Sequence, residues 1–101
     1  MARILKEDAQ RMLANVPDDH VFWCYDGRTF RSMAELGEAF NAMSEDAFAH
    51  HANKETSDFS IWVRDVIKDE KLARDLAKST SRSDAAKYVA RRMVFLGSKL
   101  T

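Results

Sequence analysis

The sequence predicts a mostly α fold, α+β in class: a compact bundle of about six short helices carrying one β-hairpin at about residues 20–31. Three observations predict it. Apolar residues recur at three- and four-residue spacings along most of the chain, which is the period of one helix face. Ser or Asp stands in front of several of those runs, where a side-chain oxygen can accept a backbone N–H of the first turn. One stretch, His20–Arg31, is instead aromatic, β-branched and alternating around an Asp26-Gly27 pair.

In chain order, Ile4, Leu5, Ala9, Met12 and Leu13 share one side of a first helix over residues 3–14, and Pro17 follows its end. Val21-Phe22-Trp23-Cys24-Tyr25 and Arg28-Thr29-Phe30-Arg31 form the hairpin, with Asp26-Gly27 as a two-residue turn. Two strands alone are only marginally stable, so the hairpin has to lie against helices. Ser32-Met33-Ala34-Glu35 is a capping-box pattern, and Met33, Leu36, Phe40 and Met43 mark the helix behind it. Ser44 caps a short helix with Ala47, Phe48 and His51 that ends near Asn53. After a polar loop, Lys54–Ser57, Ser57 or Asp58 caps a helix whose face is Phe59, Trp62, Val63, Val66 and Ile67. Asp69 caps a fifth helix with Leu72, Ala73 and Leu76. Ser79–Ser83 reads as a linker and cap, and a last helix runs from about Asp84 to Gly97 or Ser98 with Ala85, Val89, Met93 and Leu96 inward.

Composition sets outer limits. At 101 residues, with 46% apolar and 32% charged residues, the chain is expected to form a single domain over 1–101 with the hairpin inserted in it. The single cysteine, Cys24, excludes an internal disulfide and fits a reducing cytoplasm. The first residues lack a signal-peptide apolar core, and no window reaches the ~18 apolar residues of a membrane span. The expectation is a cytoplasmic protein with no membrane partner. Zero net charge hides an asymmetry: residues 18–58 carry nine acidic and three basic side chains, whereas 76–101 carry six basic and one acidic. Opposed ends suggest internal pairing or a charged partner.

Phe22 through Gly27, Met33–Leu36, Met43-Ser44, Phe48-x-x-His51-x-Asn53, Asp58-Phe59-x-x-Trp62 and Asp65-Val66-Ile67-x-Asp69-x-x-Leu72-Ala73 together cover nearly the whole chain. In combination they resemble a small domain-of-unknown-function family widespread in archaea and present in some bacteria. The resemblance implies a stand-alone or appended compact domain and brings no activity or cofactor with it.

Chemistry-bearing residues are few. His50 and His51 are adjacent, so on a helix they point about 100° apart and cannot easily grip one ion. Metal-ligand spacings such as C-x-x-C are absent. His51 is expected to be a mostly buried imidazole bonded to a backbone carbonyl or to Asp58, with His50 exposed. Asp58 and Asp69 stand at helix starts as capping groups, and Asp65 pairs with Lys68 or Arg64. Cys24 is expected in the core, and His20 is roughly 13 Å from it along an extended strand. No catalytic, cofactor-binding or metal-binding residue is assigned, and no cofactor is expected. What remains is surface. Trp23 and Tyr25 share one side of their strand, and Arg82, Lys87, Arg91, Arg92 and Lys99 give the last helix a basic side. These seven are the candidate partner-binding residues of a non-catalytic protein–protein interaction or adaptor module, self-association included. The alternative is a nucleic-acid-binding factor using the basic last helix, although a pI near 6.8 is low for one. A metal-dependent enzyme is the third option.

Overall fold

The computed structural model describes residues 3–53 and 55–101; Lys54, in the expected polar loop, lies outside them. Among the described residues there are six α-helices: α1 Lys6–Leu13, α2 Met33–Ala42, α3 Glu45–His51, α4 Asp58–Trp62, α5 Glu70–Lys78 and α6 Arg82–Ser98. Strands β1 (Phe22–Trp23) and β2 (Thr29–Phe30) form the antiparallel hairpin, with Phe22 opposite Phe30 and Trp23 opposite Thr29. The mostly α bundle with one hairpin is therefore the observed architecture.

Side-chain caps fix where helices begin. The hydroxyls of Ser32, Ser44, Ser57 and Ser81 each accept the N–H three residues on, at 3.0–3.2 Å, and Asp69 accepts that of Leu72 at 3.2 Å. Such a cap contributes about 0.5–2 kcal/mol. Because Ser81 is the cap, α6 starts at Arg82, two residues before the expected Asp84, and the last two residues of the expected linker are helical. Leu5 offers no oxygen at the head of α1, but the Asp8 carboxylate accepts its N–H at 2.9 Å. At α2 the Glu35 carboxylate reaches back one residue further than expected, to the N–H of Arg31 at 2.9 Å.

The hairpin turn also differs from expectation. A two-residue turn of the type favoured by Asp-Gly needs positive φ at both residues. Here only Gly27 has it, at +94°, while Cys24 N–H bonds Arg28 C=O at 2.8 Å and Gly27 N–H bonds Cys24 C=O at 3.0 Å. Tyr25, Asp26 and Gly27 thus make a three-residue loop, with glycine in the left-handed position.

One core of buried apolar side chains draws on all six helices and both strands. Phe40 and Phe59 are fully buried and meet edge to face at 4.9 Å, while Phe59 stacks on Phe48 and Phe22. Each such phenyl contributes roughly 1.5–3 kcal/mol by leaving water. Trp62 is buried with its indole N–H donated to the His20 carbonyl at 2.8 Å. Helix α2 lies so close to α6 that a methyl group on Gly37 would sit 2.9 Å from Val89 Cγ1. An alanine there would have to push the Val89 side chain aside.

Helix α4 continues into a π turn, Val63–Ile67. Lys68 N–H reaches the Val63 carbonyl at 2.7 Å, and Lys68 itself ends the segment at φ 67°, ψ 43°. A left-handed conformation costs a non-glycine residue roughly 1–2 kcal/mol. The break turns the chain toward α5 and places Lys68 at a bend.

Candidate interaction surfaces

Strand alternation sorts the hairpin into two faces. Phe22 and Cys24 point into the core, while Trp23 is 72% exposed and Tyr25 61% exposed. The exposed face is held firmly. The His51 side chain, 9% exposed, lies against Phe22 and Phe59 and uses both ring nitrogens: Nε2 accepts the Tyr25 N–H at 2.8 Å, and Nδ1 lies 3.0 Å from Asp58 Oδ2. Since Nε2 must accept, the proton of a neutral ring sits on Nδ1 and is donated to Asp58. Of the two expected partners His51 takes Asp58, and its second ring nitrogen accepts a backbone N–H. His50 is exposed and stacks on the Tyr25 ring at 4.2 Å. Beside Trp23 a shallow depression of about 310 Å³ is formed with Ile61, Trp62 and Val66, flanked by Asp58 and Asp65. Asp65 is paired with Arg64 at 2.9 Å, and that guanidinium holds its carboxyl below the usual range.

Cys24 does not join His51. Burial pushes its thiol up, away from thiolate, and both imidazole nitrogens are engaged elsewhere. Among the described residues no group of three or more His, Cys, Asp or Glu side chains is placed to hold a metal ion. Nor is any helix among them long and apolar enough to cross a membrane.

The basic residues of α6 divide. Arg92 is a structural group: its guanidinium forks onto Asp69 at 2.7 and 2.9 Å, and the carboxylate is 0% and the arginine 12% exposed. Arg82 bonds Glu45 at 2.8 Å and the Phe40 carbonyl at 2.8 Å, tying α6 to α2 and α3. Lys87 is exposed and stands apart. Arg91 and Lys99 border a broad groove of about 1040 Å³ between α1, α5 and α6, whose apolar lining includes Ile4, Met12, Tyr88 and Phe95. Phe95 is 41% exposed and carries two cations over its ring, Arg92 and Lys99, each at 5.0 Å from the centroid.

The groove also contains residues the sequence does not single out. Arg3 precedes α1, Lys68 sits at the left-handed bend and Arg74 lies on α5. With Arg91 and Lys99 they make five cations that have no carboxylate in ion-pair range among the described residues. The other basic groups there are matched: Arg11 by Asp8 at 4.0 Å and Lys71 by Asp75 at 2.6 Å. Four chain segments contribute the five, so no local motif could announce them. An isoleucine at 61, off the apolar face of its helix, was the one available signal for the hairpin depression.

Comparison with known proteins adds no relative. No family model matches the chain, and no curated protein or solved structure does either. The seven candidate residues thus fall in three places: Trp23 and Tyr25 on the hairpin face, Arg91 and Lys99 at the groove with Arg92 committed beneath them, and Arg82 and Lys87 outside both.

Proposed function

We propose that the chain is a non-catalytic protein-interaction module of the cytoplasm, and that the hairpin face is its contact surface. The observation that carries this is the pair Trp23 and Tyr25: large aromatics exposed on the hairpin, one at the end of β1 and one in its loop, on the side away from the core-facing Phe22 and Cys24. Exposed aromatics contribute little to folding, whereas tryptophan and tyrosine are the usual anchors at protein interfaces. Their support is rigid, which lowers the entropy lost on binding. His51, the Tyr25–His50 stack and the Cys24–Arg28 backbone bond all restrain the loop. The chemistry asks for a partner with an apolar pocket for Trp23 and a cationic group opposite Asp58. A second copy of the chain is tested by the same experiment.

The test has two arms. A partner captured by the wild-type chain is identified and titrated calorimetrically against wild type and Trp23→Ala; the expected loss is at least about tenfold, the size of a hot-spot truncation. Sedimentation over a range of concentrations reports self-association, which should vanish in the same variant. An identified partner that binds Trp23→Ala and Tyr25→Ala as tightly as wild type rules out this surface. Substrate turnover that depends on His51 or Cys24 rules out the non-catalytic reading.

A further inference from the structure

We infer that the groove between α1, α5 and α6 is a second, separate docking site, and that its occupant is an acidic amphipathic helix of a partner protein. This goes beyond the hairpin reading and does not rest on it. The floor is apolar, with Ile4, Met12, Tyr88 and Phe95, and the rim carries Arg3, Lys68, Arg74, Arg91 and Lys99 without carboxylate partners among the described residues. An apolar trough walled by helices is the geometry in which amphipathic helices dock.

Three features select this occupant. The cations are spread over four chain segments, so a small anion would meet one or two of them, while a helix with spaced carboxylates can meet several. Of the acidic wall groups, Asp8 and Asp75 are already ion-paired, and Glu70 has no ion pair among the described residues; a helix can place its discrete carboxylates away from Glu70, which a continuous phosphate backbone cannot do. The Phe95 ring, already within reach of Arg92 and Lys99, is a poor platform for stacking bases. Lys68 adds an independent sign. A lysine is held at φ 67°, where glycine would be unstrained, on the lining of the groove, with its ammonium group bonded to the Asp65 carbonyl at 3.3 Å and to no carboxylate among the described residues. Strained residues of this kind gather at binding sites.

The experiment uses the full chain and a fluorescein-labelled peptide of about fifteen residues, long enough to form a helix, with Leu or Met at i, i+3, i+4 and i+7 and Glu on the other face. A scrambled peptide of equal composition and an oligothymidylate of similar length serve as comparisons, all read by anisotropy at low and physiological salt. The expected result is saturable binding of the amphipathic peptide, weaker with the scramble, and reduced about tenfold or more by Arg74→Glu with Arg91→Glu, because each reversal puts like charges together. Lys68→Gly, which relieves backbone strain while deleting the ammonium group, should weaken binding in a chain that is no less stable. Lys87→Glu, outside the groove, and Trp23→Ala, on the other surface, should leave binding unchanged. Absence of peptide binding, equal binding of the scramble, indifference to the double reversal, or tighter binding of the oligothymidylate would each overturn the proposal. A loss caused by Trp23→Ala would overturn the separation of the two sites.

Discussion

The hairpin face and the α1/α5/α6 groove treat polar groups in opposite ways. On the hairpin side almost every polar or charged group is tied to a neighbour: His51 to Asp58 and Tyr25, Arg28 to Asp26, Arg64 to Asp65. What is left over there is uncharged, aromatic and aliphatic surface, namely Trp23, Tyr25 and Ile61. At the groove the apolar groups form the floor, and what is left over is charge. Each surface therefore offers a partner the kind of group that its own contacts leave unsatisfied. The contrast also shows that basic residues adjacent in sequence need not be alike, and α6 contains the sharpest case.

Arg91 and Arg92 are consecutive, yet one faces solvent and the other holds a fully buried carboxylate. Arg92→Leu leaves the buried Asp69 carboxyl without its guanidinium partner, and the expected loss is about 3–5 kcal/mol. Arg91→Leu should change stability by no more than about 0.5 kcal/mol. Urea unfolding of both variants measures the difference directly. Similar small losses would mean that Arg92 swings free and belongs with the rim. Restoring much of the loss by adding Asp69→Asn to Arg92→Leu would identify the stranded charge as its cause.

That pair also shows how far sequence reasoning reaches. Helices, caps and the inward and outward faces of the hairpin are local properties, set by spacing and by oxygen-bearing side chains at helix starts, and they were legible. Asp69 was legible as a cap; its second role, holding Arg92 across 23 positions, was not, because nothing local links them. The groove escaped for the same reason. Arg3, Lys68 and Arg74 look like ordinary surface charges until packing gathers them. The π turn escaped too: its apolar residues fit an ordinary helix face, and the extra residue shows in the bonds from the Lys68 and Asp69 N–H groups to the Val63 carbonyl.

A smaller effect is expected on the hairpin side, where His51 is the common support. His51→Ala strips the Tyr25 N–H of its acceptor and Asp58 of its donor, for an expected loss of about 1–3 kcal/mol. The loss should be uneven. Amide exchange at Tyr25 and its hairpin neighbours should speed up markedly, while amides of α5 and α6 keep their protection. Uniform acceleration across both regions would mean that the hairpin is part of the global folding unit, not an independently braced face.

The smallest effect concerns the turn itself. The Arg28 guanidinium forks onto Asp26 at 2.7 and 3.0 Å, and together with the Arg28 N–H it holds the Asp26 carboxyl down at about 2. A depressed carboxyl stabilises the fold above its unfolded value, near 4, and the contribution fades as pH falls through about 2. Around neutral pH the fork is therefore complete, and the hairpin should keep its shape through the mildly acidic range. Carbon-detected NMR titration should find the Asp26 midpoint near 2 in wild type and higher in Arg28→Gln, with little change in melting temperature at pH 7. The backbone bond from residue 28 survives that substitution, so the midpoint should rise only part of the way. An unchanged midpoint would assign the depression to the turn's own N–H group. The loop that carries Tyr25 would then be shaped by its backbone, with Arg28 free to meet a partner.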